Sequence, residues 1–227
     1  MKQEKKRTPL PSRKRVALRR IAIAAAVIFC VNFFMHIGLL LPIQAIWQLE
    51  EREGARHTSV VTRDWAPEVH RTHLVYLTEN DDTTLFGSTY LSIYGWMAGF
   101  SVALDCTGEA PLYAGRSYMS RDMSRDDGKV WYFFGRVDAP AIETVTVSLQ
   151  SEDWDAEAQT FNRREVRSLT TAELLEKDGR RSFLLRDGGE WDSDTCSSPR
   201  PVVIGYDSAG SEVARVDIEQ GNASYFG

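Results

Sequence analysis

The residues of this 227-residue chain with chemistry to offer are four histidines, three cysteines and several runs of Asp and Glu. His57, His70 and His73, with Glu68 beside them, form the only histidine grouping outside the apolar N-terminal stretch. Imidazole nitrogens suit zinc, but His70 and His73 point to opposite faces of a strand, so they share one metal only from a turn or a helix. The zinc-protease pattern His-Glu-x-x-His does not occur. Acidic runs at Asn80-Asp81-Asp82, Asp126-Asp127-Gly128, Glu152-Asp153-Trp154-Asp155 and Asp187 to Asp194 offer the hard oxygen ligands that Ca²⁺ selects. Asp126 and Asp127 join the three histidines as candidate metal ligands, with calcium the one cofactor considered. An EF-hand is not matched, because Met123 and Arg125 hold the earlier ligand positions. Two of these carboxylates converging in space would suit glycoside hydrolysis.

Cys30 lies in the apolar stretch, which leaves Cys106 and Cys196 as an even pair and a disulfide candidate in an oxidising compartment. Such a bridge would close a long loop and stabilise the fold by about 4 to 5 kcal/mol. Thr195-Cys196 with Arg200, on a β domain behind a membrane anchor, is similar to the sortases, cell-surface transpeptidases that use Cys, His and Arg. The similarity stops at that dipeptide and the general architecture. Glu190-Trp191-Asp192-Ser193-Asp194 replaces the family's apolar strand, Arg200 follows too closely, and no histidine lies between His73 and Cys196. Acids before a thiol also raise its pKa, the wrong direction for a nucleophile. The Gly-x-Ser-x-Gly elbow, the phosphate-binding Gly-x-x-x-x-Gly-Lys loop and the dinucleotide fingerprint are absent.

The elements that would position these groups follow from a sharp partition of charge. Residues 1–47 carry nine Lys or Arg against Glu4 alone, while the rest holds 18 bases and 31 acids, a net charge of −13. Residues 21–43 contain no charge. As a helix they would reach ~34 Å, against a hydrocarbon core of about 30 Å. The basic residues before this run and Glu50, Glu51 and Glu53 after it predict a cytoplasmic N-terminus and an extracytoplasmic C-terminal domain. Trp47 would sit at the outer interface, and Asn32 and His36, four residues apart, would share a helix face able to contact another transmembrane helix. The run is too long for a secretory signal core and lacks a small-x-small cleavage site, so an uncleaved anchor is expected.

Beyond the anchor, apolar residues recur with period two. Val145, Val147 and Leu149 alternate with Thr144, Thr146 and Ser148 as a half-buried strand requires, and Val130 to Phe134 is apolar on both faces, which predicts a central strand. Thr89 to Phe100 is aromatic and β-branched but broken by Gly95 and Gly99, which suggests a bend or bulge that changes direction within the sheet. Residues 201–206 and 212–218 predict a hairpin around Asp207-Ser208-Ala209-Gly210. Further strands are expected at 72–77, 112–119, 165–169 and 182–185, with one helix at 171–177 opened by Thr170-Thr171-Ala172-Glu173 and stopped at Gly179.

The expected organisation is a basic cytoplasmic tail (1–20), a transmembrane signal anchor (21–43), a juxtamembrane linker (44–67) and a mainly β extracytoplasmic domain (68–227), an antiparallel sandwich or barrel. This bacterial-type single-pass design predicts a non-enzymatic module at the cell membrane, with the lipid bilayer and a protein or other envelope component as partners. The alternative is a cell-surface hydrolase or a calcium- or metal-dependent ligand-binding domain. A net charge of −13 opposes binding of nucleic acid.

Overall fold

The computed structural model describes residues 13–35, 39, 41–55, 57–66, 73–93, 95–120, 129–155, 160–170, 174–187 and 200–218. Among these described residues, two helices, α1 (Arg13–Met35) and α2 (Pro42–Glu53), precede twelve strands. Four strands form sheet A, in spatial order β1 (Ser59–Trp65), β2 (His73–Glu79), β3 (Thr83–Ser92) and β4 (Gly95–Asp105). Sheet B runs β5 (Leu112–Ser120), β6 (Lys129–Val137), β10 (Arg180–Asp187), β9 (Leu175–Lys177), and sheet C runs β12 (Glu212–Asp217), β11 (Arg200–Tyr206), β7 (Thr144–Asp155), β8 (Thr160–Thr170). Every pairing is antiparallel.

The layers follow from side-chain alternation. Along β6, Val130, Tyr132 and Phe134 join Val75, Leu77, Phe86 and Leu104 of sheet A in one core, while Phe133 and Val137 join Val145, Val147 and Val203 of sheet C in another. Sheet B is therefore buried on both faces, as the two-sided apolar run in β6 predicts. On the outer face of sheet A, Leu74, Tyr76 and Leu85 pack against Ile46 and Leu49 of α2. The order of layers is α2, sheet A, sheet B, sheet C. Sheets A and B also approach each other along both edges, β4 beside β5 and β1 beside β9.

Close packing explains Gly135 in β6. A Cβ there would run into the Tyr113 carbonyl oxygen of β5 and lie 2.7 Å from the Phe183 ring of β10. The strand must pass between its neighbours without a side chain on that face.

Several expectations need correction. The apolar run 21–43 is not one helix: α1 ends at Met35, Leu39 pairs with Trp96 of β4, and Pro42 opens α2. Proline disfavours helical geometry in the residue before it, and Leu41 is extended at φ −123°, ψ 141°. Among the described residues no helix is long and apolar enough to cross a membrane. Residues 44–67, expected to be a linker, supply most of α2 and all of β1, so the β body recruits chain well before residue 68. Leu175–Lys177, placed at the end of a helix by the sequence reading, is strand β9 instead. The reason is local: Asp178 and Gly179 both have positive φ, 51° and 76°, as the two central residues of a tight hairpin turn require, so this glycine turns a hairpin into β10. Thr89–Phe100 comprises the end of β3, a turn, and the start of β4: the chain reverses at Gly95, with φ 115°, and the β3–β4 register shifts where Gly99 and Phe100 oppose Ser88, the bulge that the glycines suggest.

Gly135→Ala is expected to destabilise the body by about 3 kcal/mol or more, because the obstacle is backbone and cannot rotate away. A denaturant midpoint equal to that of the wild type would contradict the packing of β5, β6 and β10.

Candidate functional site

Two features of the folded chain concentrate unusual physical chemistry. One is a polar seam between sheets A and B. Alternation on β6 sends Arg136 toward sheet A, where Nη1 donates to the carbonyl oxygens of Asp81 (2.7 Å) and Asn80 (3.4 Å) and Nη2 to that of Cys106 (3.3 Å). Its Nε and Nη2 also engage both carboxylate oxygens of Asp138 at 2.8 and 2.7 Å. One guanidinium thus ties the β2–β3 turn and the end of β4 to sheet B. Beside it, the Ser182 hydroxyl of β10 donates to Glu79 at the end of β2, and Arg180 pairs with Asp81.

Glu79 is buried, at 2% exposure. Loss of solvent pushes its carboxyl up from 4.5 to about 7, and the Arg136 and Arg180 charges only partly oppose this. A carboxylate with a raised pKa bonded to a serine hydroxyl resembles a base beside a nucleophile. Here Ser182 is 1% exposed and lies between two sheets, so the pair closes an interior seam shielded from solvent.

The second feature is an apolar end of sheet A. The β3–β4 hairpin has Ile93 at its turn, 91% exposed, with Leu91 (45%) paired to Trp96 across the strands. The Trp65 ring, half exposed at the end of β1, lies 6.4 Å from that of Trp96. Leu39 and Trp96 exchange backbone hydrogen bonds of 2.9 and 2.8 Å, which brings the chain leaving α1 to this end of the sheet. From Thr83 to Leu104 the chain carries no charged residue.

The structure separates the residues singled out by sequence. His57 is exposed just before β1 and has φ 58°, whereas His73 opens β2 and stacks on Tyr90 at 5.3 Å. Ser59 faces Glu79 and Trp65 faces Leu74, so the two histidines lie at opposite ends of the β1–β2 pair, roughly 20 Å apart along the strands. His70, Asp126 and Asp127 lie outside the described residues, as do His36 and the side chain of Asn32. Among the described residues, no three His, Cys, Asp or Glu side chains are placed to hold a metal ion.

Cys106 carries a free, buried thiol 3.6 Å from the Thr84 hydroxyl, and burial pushes its pKa up. Cys196 lies outside the described residues. Of the acidic runs, Asn80-Asp81-Asp82 is the β2–β3 turn, closed by the Asn80 side chain accepting from the backbone of Asp82 and Thr83. Asp187 is buried against Arg167 at 2.9 Å, joining sheets B and C. The apolar end escaped the sequence reading, although an isoleucine at the turn of a charge-free hairpin is a signal against the usual polar turn chemistry.

The Glu79 carboxyl holds its proton more tightly in the folded chain than at its ordinary 4.5, so its stabilising contribution is whole below about pH 4.5 and is lost as pH rises through about 7. Glu79→Gln mimics the protonated form. Its thermal midpoint should match the wild type near pH 5 and exceed it by roughly 3 °C or more at pH 8.5. An equal difference at both pH values would contradict the buried seam. Arg136→Met, which strands Asp138 and three carbonyl groups, should cost about 3 to 5 kcal/mol by denaturant unfolding.

Comparison with known proteins finds no matching family model, no matching curated protein and no matching solved structure.

Proposed function

We propose that this chain is a membrane-tethered interaction protein, held in the bilayer through α1 with its β body on the extracytoplasmic side. The observation that carries the reading is the exposure of α1. Leu18, Ile21, Ile23, Val27, Ile28, Phe29 and Val31 are each between 46% and 72% exposed, and none is covered by the β body. At 100° per residue these side chains surround the helix, and an all-round apolar helix suits immersion in lipid better than lying on a surface. The charge-free part of α1, Ile21–Met35, measures ~22 Å, short of a hydrocarbon core of about 30 Å, so on this reading α1 needs local thinning of the bilayer and snorkelling of Arg19 and Arg20 to the headgroups. The basic residues of the N-terminal tail favour the cytoplasmic side.

On this reading the β body is a binding module without catalysis of its own, and its partner is an envelope or extracellular protein. Its most reactive-looking polar groups are already committed to one another in the seam between sheets A and B. A surplus of acids in the body disfavours nucleic acid and other polyanions and favours a partner with a basic face.

Full-length protein is expected to stay with membranes through alkaline carbonate extraction and to be released when residues 1–35 are deleted. Protease added to intact cells whose outer envelope has been opened should digest the β body. Recovery of the full-length chain in the carbonate supernatant, or full protection of the β body, would contradict the proposal.

A further inference from the structure

The tether and the apolar end of sheet A are joined by very little chain. Three residues separate Met35, the last of α1, from Leu39, which is hydrogen-bonded to Trp96. Four peptide steps reach at most roughly 14 Å. Trp96 pairs with Leu91, and Ile93 lies in the turn between them. Whatever surface α1 emerges from, the β3–β4 hairpin cannot be far above it.

We infer that the β3–β4 hairpin tip, with Trp65 and Trp96 beside it, seats in the headgroup–acyl boundary of the membrane that holds α1, so that the β body docks on the lipid in one orientation. This rests on the membrane-tethered reading and adds its lipid contact. Three properties of the patch favour lipid as occupant. Ile93, Leu91 and Trp65 present apolar side chains to solvent at 91%, 45% and 52% exposure, and Leu41, two residues past the paired Leu39, is 56% exposed. Two tryptophans at its rim supply rings that favour the interfacial region. The 22 residues from Thr83 to Leu104 are uncharged in a body of net charge −13, so the hairpin is a stretch that anionic headgroups do not repel. Insertion of a few apolar side chains would be weak alone, but α1 holds the tip at high effective concentration beside the surface.

The test uses the full chain reconstituted in vesicles of phosphatidylcholine and phosphatidylglycerol, with Cys30 and Cys196 changed to Ser and the buried Cys106 kept. An environment-sensitive fluorophore is attached at Ile93→Cys or, as a reference, at Asp82→Cys in the turn at the far end of β3. The ten residues of β3 put ~30 Å between the two sites. Lipids carrying a nitroxide just below the headgroup should quench the label at 93 at least about threefold more than the label at 82, with a blue-shifted emission at 93 only. Equal, weak quenching at both sites in protein that resists carbonate extraction would overturn the lipid seat while leaving the tether intact. A blue shift at 93 without lipid quenching would overturn it in favour of a protein occupant, such as a second copy of the chain. Failure of the chain to float with the vesicles would remove both the seat and the tether.

Discussion

Sheet B has to be covered on both faces, because β6 places Val130, Tyr132 and Phe134 on one side and Phe133 and Val137 on the other. No other strand makes so firm a demand on its surroundings. A four-stranded sheet with one wet face could have stood as half of an ordinary pair, but this one needs sheet A above and sheet C below. Sheet A is then covered on its outer face by α2, whose Ile46 and Leu49 close over Leu74, Tyr76 and Leu85. The layered order and the early recruitment of residues 42–65 both follow from that requirement.

Apolar burial does not by itself fix how the layers sit on each other, and polar ties perform that task. Arg136 binds two separate loops of sheet A from its place in sheet B, the bond between Ser182 and Glu79 spans the same seam, and Arg167 with Asp187 ties sheet B to sheet C. At the far edge of sheet A, Arg52 of α2 reaches Ser101 at 2.7 Å, and Ser101 in turn donates to Glu53 at 2.6 Å. Each tie carries a desolvation cost, most visible in the raised pKa of Glu79. The fold thus trades some stability at higher pH for a single registration of its sheets.

Much of the β body was legible wherever burial is one-sided or two-sided along a whole strand. Strands β5, β6, β7, β10 and the β11–β12 hairpin stand where their alternation puts them. Legibility failed where one local signal had two readings. Gly179 can stop a helix or turn a hairpin, and only the pairing of β9 with β10 decides. Ile43, Ile46 and Leu49 recur three apart, a helical stripe, yet the end of the charge-free run at residue 43 divides it and leaves Ile46 and Leu49 in the expected linker. Ser148, expected on a wet face, is buried and donates to Glu165 at 2.7 Å. The seam around Arg136 was invisible for a different reason: Glu79, Cys106, Arg136 and Ser182 are far apart in sequence and meet only once two sheets face each other. The apolar end was readable in part, since a charge-free stretch from Thr83 to Leu104 in an acidic domain needs no structure to be noticed.

On the proposed membrane-tethered reading, the exposed helix and the short reach from Met35 to Trp96 would keep the β body close to the bilayer, with most of its surface facing outward and an excess of acids on the chain that forms it. We propose that this outward surface engages a partner in the envelope. Crosslinking full-length protein in living cells, followed by mass spectrometry of what survives a denaturing wash, tests it most directly. One dominant envelope or extracellular protein is expected, joined through residues of the β body and lost when that body is removed while α1 is retained. Crosslinks that never rise above those of an unrelated membrane-tethered domain would contradict it.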